Sequence, residues 1–220
     1  MGLPFAGRFG YDALHLKATE VIRRIAAVRP DVLFVSAYLQ DGIALRREMV
    51  RAGLRLQASI GTSSSYCMPA FGAALGLEAV GLFASDKPDS DALNTFGLTG
   101  DARRLLGRAH AEYRSRYHQE MSAPALAGFS GAWALFHTVM PASGTMTPEA
   151  VAAAALRARI PAGGLPNDSG LEFGAPGSTT TGSNLRATSV IWEWVAPNRR
   201  AVVWPPQFAT TRIEPMAIEP

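Results

Sequence analysis

The 220-residue sequence contains one cysteine, Cys67. A single cysteine excludes an internal disulfide, and the chain must therefore be stabilised by its hydrophobic core and its hydrogen bonds. A lone thiol is equally compatible with a reducing cytoplasm and an oxidising periplasm. The cysteine content therefore does not decide the compartment.

The sequence also lacks a long uninterrupted apolar run. The richest stretch, from Ala123 to Met140, is broken by two glycines, a serine and a histidine, so it falls short of the roughly 20 residues that span a bilayer. The first eight residues show no charged segment followed by an apolar one, which taken literally predicts a cytoplasmic location. We expect a protein that is not embedded in a membrane.

Strong charge and catalytic motifs are missing as well. The net charge is only +3 and forms no basic stripe, which argues against binding to nucleic acid. No histidine, cysteine or carboxylate cluster has metal-ligand spacing, and no phosphate-binding or dinucleotide-binding glycine motif occurs. We therefore predict no metal and no nucleotide cofactor.

The first 85 residues alternate between helical and strand patterns. Apolar residues at helical spacing predict a helix from Ala18 to Val28, a second helix capped by Asp41 and a short third one that begins at Pro69. The wholly apolar run at residues 32–35, the segment 56–60 and the apolar run at residues 79–84 predict strands between these helices. This order predicts an α/β fold with a right-handed parallel sheet.

The pattern changes after Asp86, in a stretch that is rich in proline, serine and aspartate. Long helices are predicted for residues 102–117 and 123–140, and a shorter one follows Thr147. Residues 161–184 are rich in glycine, proline and hydroxyl residues and are predicted to form a loop. Alternating residues from Thr188 to Trp204 predict a final β-hairpin, with at least half of its three tryptophans in the core.

Several segments occur in an order that resembles a known family. They include Arg29-Pro30-Asp31-Val32-Leu33-Phe34-Val35-Ser36-Ala37-Tyr38, then Ile60-Gly61, then Ala79-Val80-Gly81-Leu82-Phe83, and finally Trp192-Glu193-Trp194 to Val203-Trp204-Pro205. In this order they resemble the type I periplasmic substrate-binding proteins of ABC transporters, of the branched-chain amino acid (Leu/Ile/Val-binding) class. The similarity covers nearly the whole chain, although each segment alone consists mostly of core and turn residues.

The resemblance implies a periplasmic binding protein-like I fold, in which two Rossmann-like lobes carry parallel sheets. It also implies that the first lobe is incomplete and that the chain is truncated at its amino terminus. Residues 1–85 would be a second-lobe α/β segment, residues 86–170 a helical segment of the first lobe, and residues 171–220 a return to the second lobe. It also implies a periplasmic location and a solute-binding role without chemistry, with a small solute and an ABC permease as partners. Self-association of the truncated chain is expected, because helices between Ala102 and Met140 would expose apolar faces.

Candidate ligand-binding residues follow two of the predicted strands. In open α/β sheets ligands bind at the carboxyl ends of the strands. Tyr38 follows the first strand and matches the cleft tyrosine of the family. Thr62, Ser63, Ser64 and Ser65 follow the second strand and offer four hydroxyl groups. This serine-rich loop has an alternative interpretation as a turn that caps the helix at Pro69, and the sequence does not separate the two.

The nature of the solute is only partly indicated. Amino-acid-binding members of the family place an acid in this loop, but residues 61–70 contain no aspartate or glutamate. Burying an unpaired ammonium is costly, so an amide, a carboxylate or an aromatic acid becomes a candidate beside an amino acid.

Two alternative functions remain on the sequence alone. The same fold could serve as the ligand-sensing domain of a receptor or regulator. A hydrolase that uses Cys67 or the serine loop is a more remote alternative, because no base lies at a recognised spacing.

Overall fold

The computed structural model describes residues 4–62, 64–86 and 97–213. Two compact units make up the chain: unit 1 combines residues 1–86 with residues 190–220, and unit 2 comprises residues 87–189. The chain thus passes between the units after Asp86 and again at Val190.

Unit 1 is an α/β unit. Its helices are α1 (Ala18–Ala27), α2 (Leu39–Arg51) and α3 (Pro69–Leu75), with short 3₁₀ turns at Ala13–His15 and Gly76–Ala79, and its strands are β1 (Val32–Val35), β2 (Ala58–Thr62), β3 (Phe83–Asp86), β4 (Val190–Ala196) and β5 (Arg199–Trp204). The strands form one sheet in the order β1-β2-β3-β4-β5. The first three strands are parallel to one another, and β4 and β5 are antiparallel to their neighbours.

The parallel part of the sheet forms where the sequence predicts it, with shifts at the ends of two strands. β2 begins at Ala58 rather than Leu56, which is a buried residue of the preceding loop. β3 begins at Phe83 rather than Ala79, because the apolar run first forms a 3₁₀ turn and then bends at Gly81, whose φ is +81°. An apolar run predicts burial, and burial in a loop gives the same signal as burial in a strand.

The second helix also differs from its prediction at the amino end. α2 begins at Leu39, with Tyr38 at its N-cap, so Asp41 lies in the first turn and is not the cap. A carboxylate in the first turn is favourable, because the helix dipole places partial positive charge there.

The core of unit 1 holds two of the three hairpin tryptophans. Trp192 and Trp194 are buried, whereas Trp204 is 52% exposed. The prediction that at least half of these tryptophans lie in the core is therefore confirmed. Gly72 in α3 allows the Trp194 ring to approach the helix, since a Cβ at this position would lie 2.1 Å from a ring carbon.

Unit 2 is helical over much of its described length. It contains α4 (Gly100–Tyr117), α5 (Ala123–Ala134), a π-helical turn at Leu135–Val139 and α6 (Pro148–Arg157). The predicted helix from Ala123 to Met140 is thus divided, because the Met140 amide donates to the carbonyl of Leu135, five residues earlier. The Thr147 hydroxyl caps α6 by accepting a hydrogen bond from the Ala150 amide.

An irregular but hydrogen-bonded segment follows α6 in unit 2. Asn184 organises it, since its side chain accepts from the amides of Glu172 and Arg186 and donates to the carbonyl of Gly170. Single β-bridges join Ile160 to Leu171 and Phe173 to Asn184. These bonds hold residues 171–189 in unit 2, and the second crossing lies at Val190, not at the predicted residue 171.

Candidate functional site

The carboxyl ends of the three parallel strands lie side by side in unit 1. Val35 of β1 is in register with Gly61 of β2, and Thr62 of β2 is in register with Ser85 of β3. Adjacent strands are about 4.8 Å apart, so the residues that follow these strands form one continuous edge. We call this edge, defined by residues 36–38, 62, 64, 85 and 86, the strand-end edge.

Tyr38 lies at the strand-end edge with its side chain in solvent. It is 72% exposed, and its backbone is extended just before α2. Its carbonyl accepts a hydrogen bond of 2.9 Å from the Gly42 amide, which ties the tyrosine to the first turn of the helix. The ring is therefore held by its backbone at a position where it can cover a bound molecule.

Thr62 joins the ends of β1 and β2. Its hydroxyl oxygen lies 3.4 Å from the carbonyl oxygen of Ala37, to which it donates a hydrogen bond. Thr62 is half-buried, and its hydroxyl lies beside the residue that precedes Tyr38. Ser64 is exposed in the turn that follows β2. The predicted Ser63 falls outside the described residues.

Ser65, the last predicted residue, points into the interior. It is fully buried, and a Cβ placed on Gly42 would lie 1.8 Å from its hydroxyl oxygen. Gly42 is thus required for the close approach of α2 to this serine. Ser65 does not line the strand-end edge, because the turn that begins at Thr62 carries its side chain beneath the first turn of α2.

The turn after β2 rests on an aromatic cluster. The rings of Tyr66 and Phe71 stack with their centroids 4.5 Å apart, and the Tyr66 hydroxyl lies 3.2 Å from the Ser59 hydroxyl. Burial raises the pKa of the Tyr66 phenol, which therefore stays neutral. Gly61 admits this ring, since a Cβ there would lie 2.1 Å from a ring carbon.

Two bonds from the final hairpin fix the same turn. The Trp194 indole nitrogen donates a 2.8 Å hydrogen bond to the carbonyl of Tyr66, and Arg200 donates to the carbonyl of Cys67. The turn that carries Ser64 is thus attached both to its own strand and to the last strands of the chain. Such an attachment limits the movement of the exposed hydroxyl groups and favours a preformed binding surface.

Other polar residues lie near the same strand ends. Ser36 and Ser85 are exposed at the ends of β1 and β3, and Asp86 is half-buried one residue further. Asp41 in α2 accepts a 3.3 Å hydrogen bond from the Tyr11 hydroxyl. Burial, together with the Asp41 carboxylate, raises the pKa of Tyr11 to about 12.

Two of these residues, Asp41 and Asp86, are acids. Residues 61–70, which follow β2, contain no acid. The sheet register places Asp86 next to the partner of Thr62, and Asp41 lies three residues after Tyr38. The signal that could have identified Asp86 is its position just past the apolar run 79–84, at the carboxyl end of a strand, where polar residues commonly contact ligands.

Two observations concern the residues of the alternative functions. Cys67 is buried, and among the described residues no group of three histidines, cysteines or carboxylates could hold a metal ion. A search of the same residues finds no helix that is long and apolar enough to cross a membrane.

Comparisons with known proteins identify the fold. No family model matches the chain, and no curated protein matches it. Similar solved structures include the leucine-binding protein LivK of Thermotoga maritima, with 13% identity, a TM-score of 0.63, and coverage of 82% of this chain and 46% of that one. A substrate-binding protein of an ABC transporter from Aeropyrum pernix has 15% identity and a TM-score of 0.63, with coverage of 88% and 48%.

A third solved structure is an extracellular ligand-binding receptor from Rhodopseudomonas palustris, with 17% identity and a TM-score of 0.63 over 83% of this chain and 50% of that one. All three are binding proteins by name. The chain has the type I periplasmic binding protein fold and spans about half the length of these solved structures.

Proposed function

We propose that this chain is part of the solute-binding component of an ABC importer and that it captures a small polar solute. The observation that carries the proposal is the strand-end edge of unit 1, where the Thr62 hydroxyl bonds to the residue before Tyr38 and Ser64 follows in the adjoining turn, in a fold whose similar structures are binding proteins. Ligands of open α/β sheets bind at this end of the strands. We propose these three residues as ligand contacts.

The solute class follows from the groups at the edge. Hydroxyl groups donate to and accept from carboxylates and amides, and a tyrosine ring covers the apolar part of a ligand. Asp41 lies in the first turn of the helix that follows Tyr38, and a carboxylate near this edge favours a cationic group on the solute. We therefore propose an amino acid, amide or carboxylate-like solute, and cationic amino groups return to the candidates.

The cellular role extends the same proposal. A protein of this kind would act in the periplasm and deliver its solute to a membrane permease of the ABC type. Similar structures named as binding proteins and receptors support this role. The proposal includes no chemical step, because binding and release alone serve transport.

A ligand-sensing role is the second candidate. It is favoured by the similarity to a solved structure described as an extracellular ligand-binding receptor. A sensing domain would bind the same class of solute with the same residues. Binding of the solute-loaded protein to detergent-solubilised permease distinguishes the roles, since an importer component binds the permease and a sensor does not.

A thermal-shift screen tests the binding function. The purified chain is melted in the presence of amino acids, amides, short carboxylates and aromatic acids, because a ligand that binds only the folded form raises the melting temperature. The proposal predicts a concentration-dependent rise with one of these classes. A cooperative melt that none of them shifts would contradict it, and labelling by a serine- or cysteine-reactive probe would favour the hydrolase alternative.

A further inference from the structure

Asp41 is a half-buried acid in the first turn of α2, beside the strand-end edge. The Gly42 amide donates a 2.9 Å hydrogen bond to the carbonyl of Tyr38, and this bond closes the turn that contains Asp41. One turn of an α-helix rises about 5.4 Å, so the Asp41 backbone lies within that distance of Tyr38 along the helix axis. The carboxylate therefore stands at the same end of the sheet as the proposed ligand contacts.

The first turn of α2 also packs on the turn that follows β2. Gly42, the residue after Asp41, lies so close to Ser65 that a Cβ on the glycine would collide with the serine hydroxyl. The Thr62 hydroxyl donates to the carbonyl of Ala37, two residues before α2 begins. Asp41 thus lies in a turn of the chain that is fixed against the serine-rich loop.

Tyr11 holds the Asp41 carboxylate in position. Its hydroxyl donates a 3.3 Å hydrogen bond to Oδ2 of Asp41. The segment that carries Tyr11 is held on α1, because the Arg24 guanidinium lies over the Phe9 ring at 5.5 Å from its centroid. Burial and the nearby carboxylate raise the pKa of Tyr11 to about 12, so the phenol remains a neutral donor. A neutral donor orients the carboxylate and leaves its charge in place.

The described part of the chain supplies no counter-charge for this carboxylate. None of the ion pairs between described residues includes Asp41. The described residues of the strand-end edge contain no lysine, arginine or histidine. A carboxylate accepts about four hydrogen bonds, and the Tyr11 hydroxyl occupies one of these positions. The remaining positions suit a ligand group that combines positive charge with N–H donors, since charge-assisted hydrogen bonds are the stronger ones.

We propose that Asp41 binds an ammonium group and that the solute is an organic amine with a net positive charge. This inference rests on the proposed function and narrows it, because a neutral amide or a free carboxylate would leave the charge of Asp41 unbalanced. A zwitterionic amino acid brings the same ammonium group, but its carboxylate meets only hydroxyl and backbone donors at the described edge. Tyr11 is a positioning residue, since it acts through the carboxylate that it holds.

A first-turn acid also has a role in its own helix, which must be separated from binding. The helix dipole places partial positive charge at the first turn, and an acid there is stabilising without any ligand. Glu20 has this position in α1 and is exposed to solvent. Glu20→Gln is therefore the matched control for Asp41→Asn: both remove a first-turn charge, and only Asp41→Asn should change binding.

A series of ligands that differ in charge tests the proposal. The chain is titrated at about pH 6.5, where an α-amino group is protonated. The probes are amino acids with uncharged side chains, the carboxamide of each, which is cationic, and the N-acetyl derivative of each, which is anionic. The carboxamide should bind at least about tenfold more tightly than the N-acetyl derivative, with the free amino acid between them.

The variants connect this preference to Asp41. Asp41→Asn keeps the shape and an acceptor for Tyr11, and it should weaken carboxamide binding at least about tenfold and largely abolish the preference for positive charge. Tyr11→Phe should reduce the same preference by a smaller factor, whereas a purely structural tyrosine would lower the melting temperature without changing the ratio of the affinities. Glu20→Gln should keep the ratio of the wild type.

The outcomes separate this inference from the proposed function. Binding of a short carboxylate, or of the N-acetyl compounds as tightly as the carboxamides, would overturn the inference and leave the binding function intact. An unchanged preference in Asp41→Asn would also overturn it. Absence of binding by every class of solute would refute both. The charge preference of the wild type requires no variant, so the test stands even where a substitution impairs folding.

Discussion

The indole nitrogen of Trp194 donates a 2.8 Å hydrogen bond to the carbonyl of Tyr66, which lies 128 residues earlier in the chain. This bond joins the last strands of unit 1 to the turn that follows β2. Both residues are fully buried, so water cannot replace the bond. The final hairpin therefore stabilises the turn that carries Ser64.

The Trp194 bond predicts the effect of a conservative substitution. Trp194→Phe keeps an aromatic ring but removes the donor, and it leaves the buried Tyr66 carbonyl without this partner. We expect the free energy of unfolding to fall by about 1–3 kcal/mol. Chemical denaturation measures the loss, and Trp204→Phe, at an exposed tryptophan on the neighbouring strand, should cost much less.

Gly72 provides a second test of the same core. An alanine at this position in α3 would place its methyl group against the Trp194 ring. Overpacking of this kind should destabilise unit 1 by about 1–3 kcal/mol, although alanine is the better helix former. In contrast, Gly107→Ala in α4 meets no atom within 4 Å and should be neutral or stabilising. Equal effects of the two substitutions would contradict this packing.

Asp168 predicts a pH dependence in unit 2. Its carboxyl is buried, one carboxyl oxygen has no hydrogen-bond partner in the described structure, and burial raises its pKa to about 6. The folded state therefore binds a proton more tightly than the unfolded state. The contribution of this group to the free energy of unfolding falls as the pH rises from the ordinary aspartate range to about 6. Above that pH the loss is complete, because the buried carboxyl is then charged in the folded state.

Asp168→Asn should remove this cost. Asparagine tolerates the positive φ of 64° at this position. We expect the melting temperature to rise by several degrees at pH 7.5 and to change little at pH 4. The matched substitution Glu112→Gln, at an exposed acid of α4, should show no such profile, and a gain that is equal at both pH values would rule out the burial of charge as the cause.

Ser65 and Gly42 predict a coupled pair. Gly42→Ala should be destabilising, because its new methyl group meets the Ser65 hydroxyl. Ser65→Ala removes that oxygen, so the double variant should lose less stability than Gly42→Ala alone. A double-mutant cycle measures this coupling, and strictly additive effects would show that the two residues do not touch.

The parallel sheet could be predicted from the sequence because strand patterns alternate with helical patterns along residues 18–86. The predicted bounds of β1 and α1 agree with the structure to within one residue, because an apolar run and helical spacing are direct signals in the sequence. The ends of β2 and β3 could not be located, because Leu56 and Ala79 are buried outside the strands. The second crossing was misplaced because Asn184 organises a glycine-rich segment that resembles an open loop.

The candidate site was predictable only in part. The positions of Tyr38 after β1 and of Thr62 at the end of β2 follow from the order of the elements. The interior position of Ser65 does not, since it depends on the path of one turn beneath α2. The sheet register, which brings Ser85 and Asp86 to the same edge, is a long-range property that no local pattern contains.

The central claim is that the strand-end edge of unit 1 binds the solute. Calorimetric titration with the solute identified by the melting screen tests it most directly, with the wild type beside Tyr38→Ala, Thr62→Val, Ser65→Ala and the exposed control Tyr117→Ala. We predict that Tyr38→Ala and Thr62→Val weaken binding by about tenfold or more, each tenfold step being ~1.4 kcal/mol. Ser65→Ala and Tyr117→Ala should bind as the wild type does. Equal affinity of the wild type, Tyr38→Ala and Thr62→Val would contradict the claim and place the solute elsewhere.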